Sequence, residues 1–363
     1  MDERSSNGAA VGRHKRKRRK VAASTRPTIF IDYEACSSHN SDVPNGISNE
    51  HILDLPSRVL PLITKAEELE QAGRVRIMRC KRPASEEEIL RCATPAYIRY
   101  ANTRIQSKHT PYLDYDETTL ANSDSLNWAY RAAGATIDAA RAVHDSNEPK
   151  SRGFVLVRPP GHHNSCSSNL EELFEVTDVA NHVWGCNGGC LVNNIACAVR
   201  ALQAENRSNC MRICIVDLDA HFGDGTAIQF FGEDDVFTVS IHQNQTNLFP
   251  FLTGSVEENS NNSLLNIPLN EASGDRQVML ALEKARLVQK IRAFEPEMMF
   301  VAFGFDALES DKSSRLEFTP KLYGQLIRML LPLCDKLLCV LEGGYSSSSV
   351  DAFEEVMEAL SEG

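Results

Sequence analysis

The sequence predicts an α/β protein, a single domain with a central, mostly parallel, multi-stranded sheet flanked by helices. Three observations lead there. Four apolar, strand-like runs, 154–157, 211–218, 298–303 and 337–341, are separated by stretches of helical patterning such as 191–205 and 276–294, and strands alternating with helices assemble into parallel sheets. Each run gives out into residues that carry chemistry: Arg158-Pro-Pro-Gly-His162-His163, Asp217-Leu-Asp219-Ala-His221, Gly304-Phe-Asp306 and Glu342-Gly-Gly-Tyr345. In open parallel sheets ligands bind beyond the carboxyl ends of the strands, so all four groups are expected on one edge. The 363 residues, 42% hydrophobic, suffice for one large core.

The elements follow in order. Residues 1–26 read as a disordered basic tail, because Ser, Gly and Ala surround the almost uniformly basic run Arg13–Lys20. Thr28–Ile31 reads as a first strand, 52–72 as a helix interrupted near Pro56, and 74–78 as a short strand. Ser85 with Glu88 three residues on has the capping-box pattern for a helix carrying Ile89 and Leu90. The polar segment 109–124 is predicted to be a loop over the active face, and the Asn- and Ser-rich 257–263 a surface loop. No internal repeat is visible.

Residues i and i+2 of an extended backbone point the same way, so Asp219 and His221 can reach one ion from the same side. An oxygen and a nitrogen ligand suit zinc or a similar divalent metal; a cap on the next helix is the alternative for an isolated Asp-x-His. Asp306 offers a third ligand, giving a neutral shell with a position open for water or substrate, whereas closed structural zinc sites favour four ligands with cysteines. His162 and His163 offer a general base for the activated water, and Asp217 and Asp224 are placed to set their tautomers. Tyr345 can donate to a developing oxyanion. Taken singly, the His-His pair reads also as a polar loop, Asp306 as a cap and Gly-Gly-Tyr as a tight turn; four such coincidences on one edge are the costlier explanation. Together the residues predict metal-assisted amide hydrolysis.

Composition narrows the function further. No run of eighteen apolar residues exists and no hydrophobic leader follows the start, so a membrane-spanning or secreted protein is not expected, and the sequons at Asn206, Asn244 and Asn261 carry no information. The eleven cysteines form no Cys-x-x-Cys pair and suit a reducing compartment; Cys166, His182, Cys186 and Cys190 are the local cluster that a second metal or a redox pair would use. The net charge of -11 hides the opposite sign of residues 13–20, which read as a nuclear localisation signal for an import receptor, with direct nucleic-acid contact as the second reading. The nucleus is therefore expected, the cytoplasm being the alternative, and an acidic body favours basic substrates. Gly223-Asp-Gly225 lacks the third glycine of a dinucleotide fingerprint.

The motifs Arg158–His163, Gly188–Asn194, Asp217–Thr226, Gly304–Ala307 and Leu341–Tyr345 resemble the ordered signature of the zinc-dependent histone deacetylase family. The resemblance runs from Pro27 to the C-terminus, with wording closest to the class II and bacterial acetylpolyamine-hydrolase branches, and it implies the arginase-deacetylase fold for a catalytic domain over 27–363. It implies zinc on Asp219, His221 and Asp306, a dyad of His162 and His163 backed by Asp217 and Asp224, and a carbonyl-polarising Tyr345. It also implies potassium at Asp217, Asp219, His221 and Ser240, and a substrate-gripping acid at Asp116 or Glu117. The family's tunnel phenylalanines map to Gly189 and Phe249, so one wall is missing here. Phe222 stands where a second histidine is usual, and an insertion near 164–188 lies beside the site, where 169–184 could cover the mouth. Arginase relatives hold two metals with Asp-x-His-x-Asp, but Gly223 takes the last place. The implied activity is hydrolysis of N6-acetyl-lysine in proteins, with histones as partners. A weakly active acyl-lysine-binding module that recruits partners, and an acetylpolyamine amidohydrolase, are the alternatives.

Overall fold

The computed structural model describes residues 26–40, 54–107, 113, 119–165, 186–205, 211–246, 248–251, 253–260 and 263–362. The tail, Asp116 and Glu117, and 166–185, which hold most of the expected insertion, lie outside them. Eight strands, β1 (Thr28–Ile31), β2 (Arg76–Arg79), β3 (Ser151–Leu156), β4 (Ile213–Asp217), β5 (Val236–Gln243), β6 (Leu264–Leu269), β7 (Met298–Phe303) and β8 (Lys336–Leu341), form one sheet in the order β2-β1-β3-β8-β7-β4-β5-β6. Every pairing is parallel, where the sequence predicted mostly parallel strands. The chain leaves β3, skips two places to β4, runs outward to β6 and returns to fill the gap with β7 and β8.

The helices are α1 (Tyr33–Ser38), α2 (Leu60–Gln71), α3 (Glu86–Ile89), α4 (Pro95–Ser107), α5 (Ser125–His144), α6 (Asn194–Glu205), α7 (Asp224–Phe230), α8 (Asp275–Lys284), α9 (Leu287–Phe294), α10 (Pro320–Leu330) and α11 (Ser349–Ser361). Strand residues alternate between two cores, as a period of two requires. Ile29, Cys214, Met299 and Leu337 join α2 and α8 to α11, while Phe30, Ile213, Met298 and Leu338 join α3 to α6. Both faces are covered, the condition under which parallel sheets persist.

Local signals act as read at Ser85, whose Oγ accepts the Glu88 N–H at 3.2 Å while Glu88 accepts the Ser85 N–H at 2.8 Å. The helix read over 276–294 is two, because Arg286 adopts φ 57° between α8 and α9. The predicted interruption near Pro56 is a 3-10 turn, Pro56–Arg58, ahead of α2. No helix among the described residues is long and apolar enough to cross a membrane.

Candidate active site

The carboxyl ends of β3, β8, β7 and β4 are consecutive in the sheet, and the four groups singled out in the sequence meet there. Asp219 and His221 follow β4, and Asp306 follows the adjacent β7. Potential ligand atoms of the three lie within 4.8 Å of one another. His221 Nδ1 is 3.1 Å from Asp219 Oδ1 and 2.9 Å from Asp306 Oδ2. The remaining oxygens are tethered to backbone: Asp219 Oδ2 accepts the Gly343 N–H and Asp306 Oδ1 the Ala220 N–H, each at 2.8 Å. Gly304 and Gly343 are glycines because a Cβ there would stand 2.2 and 2.5 Å from Asp219 Oδ2.

Electrostatics shows what this trio lacks. Burial pushes the Asp306 carboxyl up, and Asp219 beside it pushes further, to about 7. Burial pulls the His221 imidazole down, but Asp219 and Asp306 outweigh it and hold it at about 10. Two buried carboxylates converging on one imidazole leave negative charge that burial penalises unless a cation compensates. The donor set is oxygen, oxygen and nitrogen without thiolate, so it fits a divalent cation with an open position.

His162 and His163 hang from the loop after β3 with ring centroids 4.0 Å apart. His162 Nδ1 lies 3.0 Å from Asp217 Oδ2, and His163 Nδ1 lies 2.6 Å from Asp224 Oδ1. Each Nδ1 engaged by a carboxylate leaves Nε2 to face the site, and His162 Nε2 is 3.8 Å from Asp219 Oδ1. Their environments diverge. Burial lowers His162, but Asp219 and Asp217 outweigh it and hold the ring protonated; burial and then the His162 charge push His163 down to about 4. One neutral and one cationic imidazole side by side can divide base and electrostatic roles.

Supporting residues meet here through long-range contacts; Glu342 and Arg158 stand in motifs singled out in the sequence, whereas Asp54, Arg58 and Asp311 gave no signal there. Glu342 Oε2 accepts the N–H groups of Gly161 and His162 at 2.7 and 3.1 Å, fixing the dyad loop to β8. Asp311 Oδ2 accepts the N–H groups of Tyr345 and Ser346 at 2.7 and 2.9 Å. The Arg58 guanidinium lies 5.2 Å from the Tyr345 ring centre and donates to the Glu342 carbonyl. Burial raises the Tyr345 phenol, Asp306 and Asp219 raise it further, and Arg58 opposes them. Beneath lies Asp54, with Arg158 Nε at 2.8 Å and Arg58 Nε at 3.1 Å.

Phe249 packs edge-on against His163, centroids 4.8 Å apart. The residue facing this pair is Gly188: a Cβ there would be 2.6 Å from His163 Cδ2 and 3.3 Å from Phe249 Cε1. Gly189, the position matched by sequence, instead faces Asp54 and Pro160, both at 3.7 Å, with φ +82°. Phe222 stacks 5.0 Å from His242, whose Nδ1 is 2.9 Å from Ser240 Oγ. Ser240 stands in register with Asp217. Of the predicted cysteine cluster, Cys186 and Cys190 are buried, and Cys166 and His182 lie outside the described residues. Among the described residues, the thiols of Cys92 and Cys197 meet, 2.7 Å apart, from the stretch after α3 and from α6.

A family model described as histone deacetylase domain matches residues 54–360. A probable deacetylase of Archaeoglobus fulgidus is 32% identical over 272 residues, covering 72% of this chain and 67% of the relative. Histone deacetylase 6 of Caenorhabditis elegans is 27% identical over 77% of this chain, and histone deacetylase HDA1 of Saccharomyces cerevisiae 28% identical over 74%. The matches span only 29% and 37% of those two relatives. The crystal structure of the HDA15 HD domain superposes with TM-score 0.77 at 27% identity, covering 93% of this chain and 88% of that one.

Proposed function

The chain belongs to the histone deacetylase family and has its arginase-deacetylase fold, and from that premise we propose that it hydrolyses N6-acetyl-lysine in proteins with a zinc ion held by Asp219, His221 and Asp306. The observation that carries the reading is the convergence of that trio with two carboxylate-backed histidines on one sheet edge. When bound, zinc supplies a Lewis acid that polarises the amide carbonyl and makes a water nucleophilic near neutral pH. His163, neutral because its environment holds it near 4, accepts the proton of that water and returns it to the departing lysine amine. His162, its Nδ1 engaged by Asp217 and its Nε2 facing the site, favours negative charge as it builds on the carbonyl oxygen. Tyr345 donates its phenol hydrogen bond to the same oxygen, its segment held by Asp311. Asp217 and Asp224 keep both Nδ1 atoms engaged.

Deacetylation of an acetyl-lysine histone peptide by the purified chain tests this. A strong chelator should abolish turnover and added zinc restore it, and His163→Ala and Tyr345→Phe should each lower kcat by about a hundredfold or more. Activity that survives chelation and both substitutions overturns the proposal. Two accompanying readings rest on sequence. Residues 13–20 support nuclear import, which a fluorescent fusion lacking residues 1–24 tests, since nuclear accumulation without the tail defeats it. Asp217, Asp219, His221 and Ser240 are the proposed potassium site, supported by the register of Ser240 beside Asp217.

A further inference from the structure

We propose that Phe251 is a specificity-determining residue, an aromatic shelf at the mouth of the site that receives an apolar side chain adjacent to the acyl-lysine. The inference rests on the proposed deacetylase reading and adds the sequence context of the substrate. Phe251 is 55% exposed, the most exposed of the large hydrophobic residues described. It packs perpendicular to Phe249, centroids 6.2 Å apart at 87°, and Phe249 in turn packs edge-on against His163. Three rings thus lead from the dyad to solvent.

Two costs meet at this residue. Its φ is 51°, in the left-handed region that a bulky side chain disfavours and glycine tolerates, and the turn is closed by its N–H donating to the Leu248 carbonyl at 2.9 Å. Its phenyl group is also left largely in water. Isolated exposed apolar residues are ordinary, as with Leu280 on α8 and Phe231 after α7, 54% and 45% exposed. Phe231 keeps a φ of -59°, so it carries the exposure without the backbone strain. Backbone strain of this kind persists where the surrounding structure over-determines it, and it clusters at active sites and ligand clamps.

The surroundings choose the occupant. Among the described residues Gly188, which faces His163 and Phe249, offers no side chain, so the apolar surface they present beside the dyad is that of Phe249 and Phe251. Of the two acids in the same loop, Glu257 is exposed and Glu258 has both carboxylate oxygens engaged by the Gly254 and Ser255 N–H groups at 3.0 and 3.1 Å. Glu258 is committed to the loop, and the surface that Phe251 itself presents is hydrocarbon, which favours an apolar neighbour.

The experiment compares acetyl-lysine peptides differing only in whether Leu, Ser or Arg adjoins the lysine. The full chain should favour Leu over Ser by about tenfold in kcat/KM, mostly through KM, and Phe251→Gly should bring that ratio to about one. The variant's thermal midpoint should equal or exceed the parent's, because glycine suits φ 51°, separating recognition from folding. Fluorescence anisotropy with the same peptides on Tyr345→Phe, with and without Phe251→Gly, reads the preference without turnover. A parent that binds with the Leu preference but never turns over would sink the deacetylase reading alone. A Leu preference that survives Phe251→Gly, an equal affinity for all three peptides, or a preference for Arg overturns the role of Phe251.

Discussion

Replacing Gly343 by alanine adds one methyl group behind the trio, and the structure says how far things must move. An ideal Cβ at 343 lies 2.5 Å from Asp219 Oδ2 and 2.6 Å from Asp306 Oδ2, where real Cβ contacts do not fall below 3.0 Å. The two carboxylates must therefore retreat by at least 0.5 and 0.4 Å (3.0 less 2.5 and 2.6). A metal site tolerates only about 0.2 Å in its ligand distances. The Gly343 N–H also anchors Asp219 at 2.8 Å, and disturbing such a supporting bond alone lowers metal affinity about 10- to 100-fold. With both ligands displaced, zinc affinity should fall about a hundredfold or more, read by competition with a chelator of known affinity. Gly73→Ala is the control: its φ is +72° and nothing lies within 4 Å of the added atom, so it should cost about 1 kcal/mol of stability and leave zinc binding unchanged. A Gly343→Ala protein that binds zinc within threefold of the parent would refute the claim that the glycine is there to make room for the ligands.

Two predictions concern the charges beneath the site. Asp54→Asn leaves Arg158 and Arg58 buried with no countercharge at Asp54, so urea unfolding should show a loss of about 3–5 kcal/mol, whereas Arg315→Ala, breaking a pair 73% and 45% exposed with Glu271, should cost at most about 0.5 kcal/mol. Equal losses would show that burial does not set the difference. Burial and then the two guanidiniums outweigh Asp54 and hold the His39 imidazole at about 4 instead of 6.5. The unfolded chain thus binds a proton that the folded chain refuses, and stability should fall by about 3 kcal/mol as pH drops from 6.5 to 4. His39→Gln should flatten that slope in denaturant titrations at stepped pH, and an unaltered slope would exclude His39 as its source. Burial raises Asp54, but Arg158 and Arg58 pull it lower still, to about 2, so its own stabilising contribution is complete above 3.8 and is lost only as pH falls from there towards 2.

The parts of the fold legible in the sequence were those with one dominant period. β3, β4, β7 and β8 are continuous apolar runs because helices cover both faces. β5 was not read, since Thr238, Ser240 and His242 interrupt it, and these polar groups are nonetheless buried. β6 hides behind Asn266 and Pro268, the latter tolerated because β6 is an edge strand. α5 was missed because its buried face is mostly alanine around Gly134, where a Cβ would sit 2.1 Å from the Arg82 carbonyl; close approach, not large apolar side chains, specifies it. In the site, Asp219, His221 and the dyad could be read from spacing, but Asp54, Arg58 and Asp311 are meaningful only after segments far apart in the chain have docked.

That distance has an energetic consequence. Asp306 stands 85 residues from His221, the Asp219 anchor at Gly343 lies 124 residues on, and Glu342 holds the dyad loop across 181 residues. β3 reaches β4 only through β8 and β7, the last strands to be made. No short fragment contains the proposed metal trio and its anchors, which run from Asp219 to Gly343 across β4 to β8, so a cation that binds here binds an assembled sheet. Ligand binding confined to the folded state stabilises it by RT ln(1 + [L]/Kd), so a divalent ion held by the convergent carboxylates that burial disfavours in the metal-free protein should add stability as its concentration rises. The carboxylates of the proposed site should therefore weaken the metal-free fold and strengthen the loaded one, a difference that thermal unfolding with and without added zinc reads.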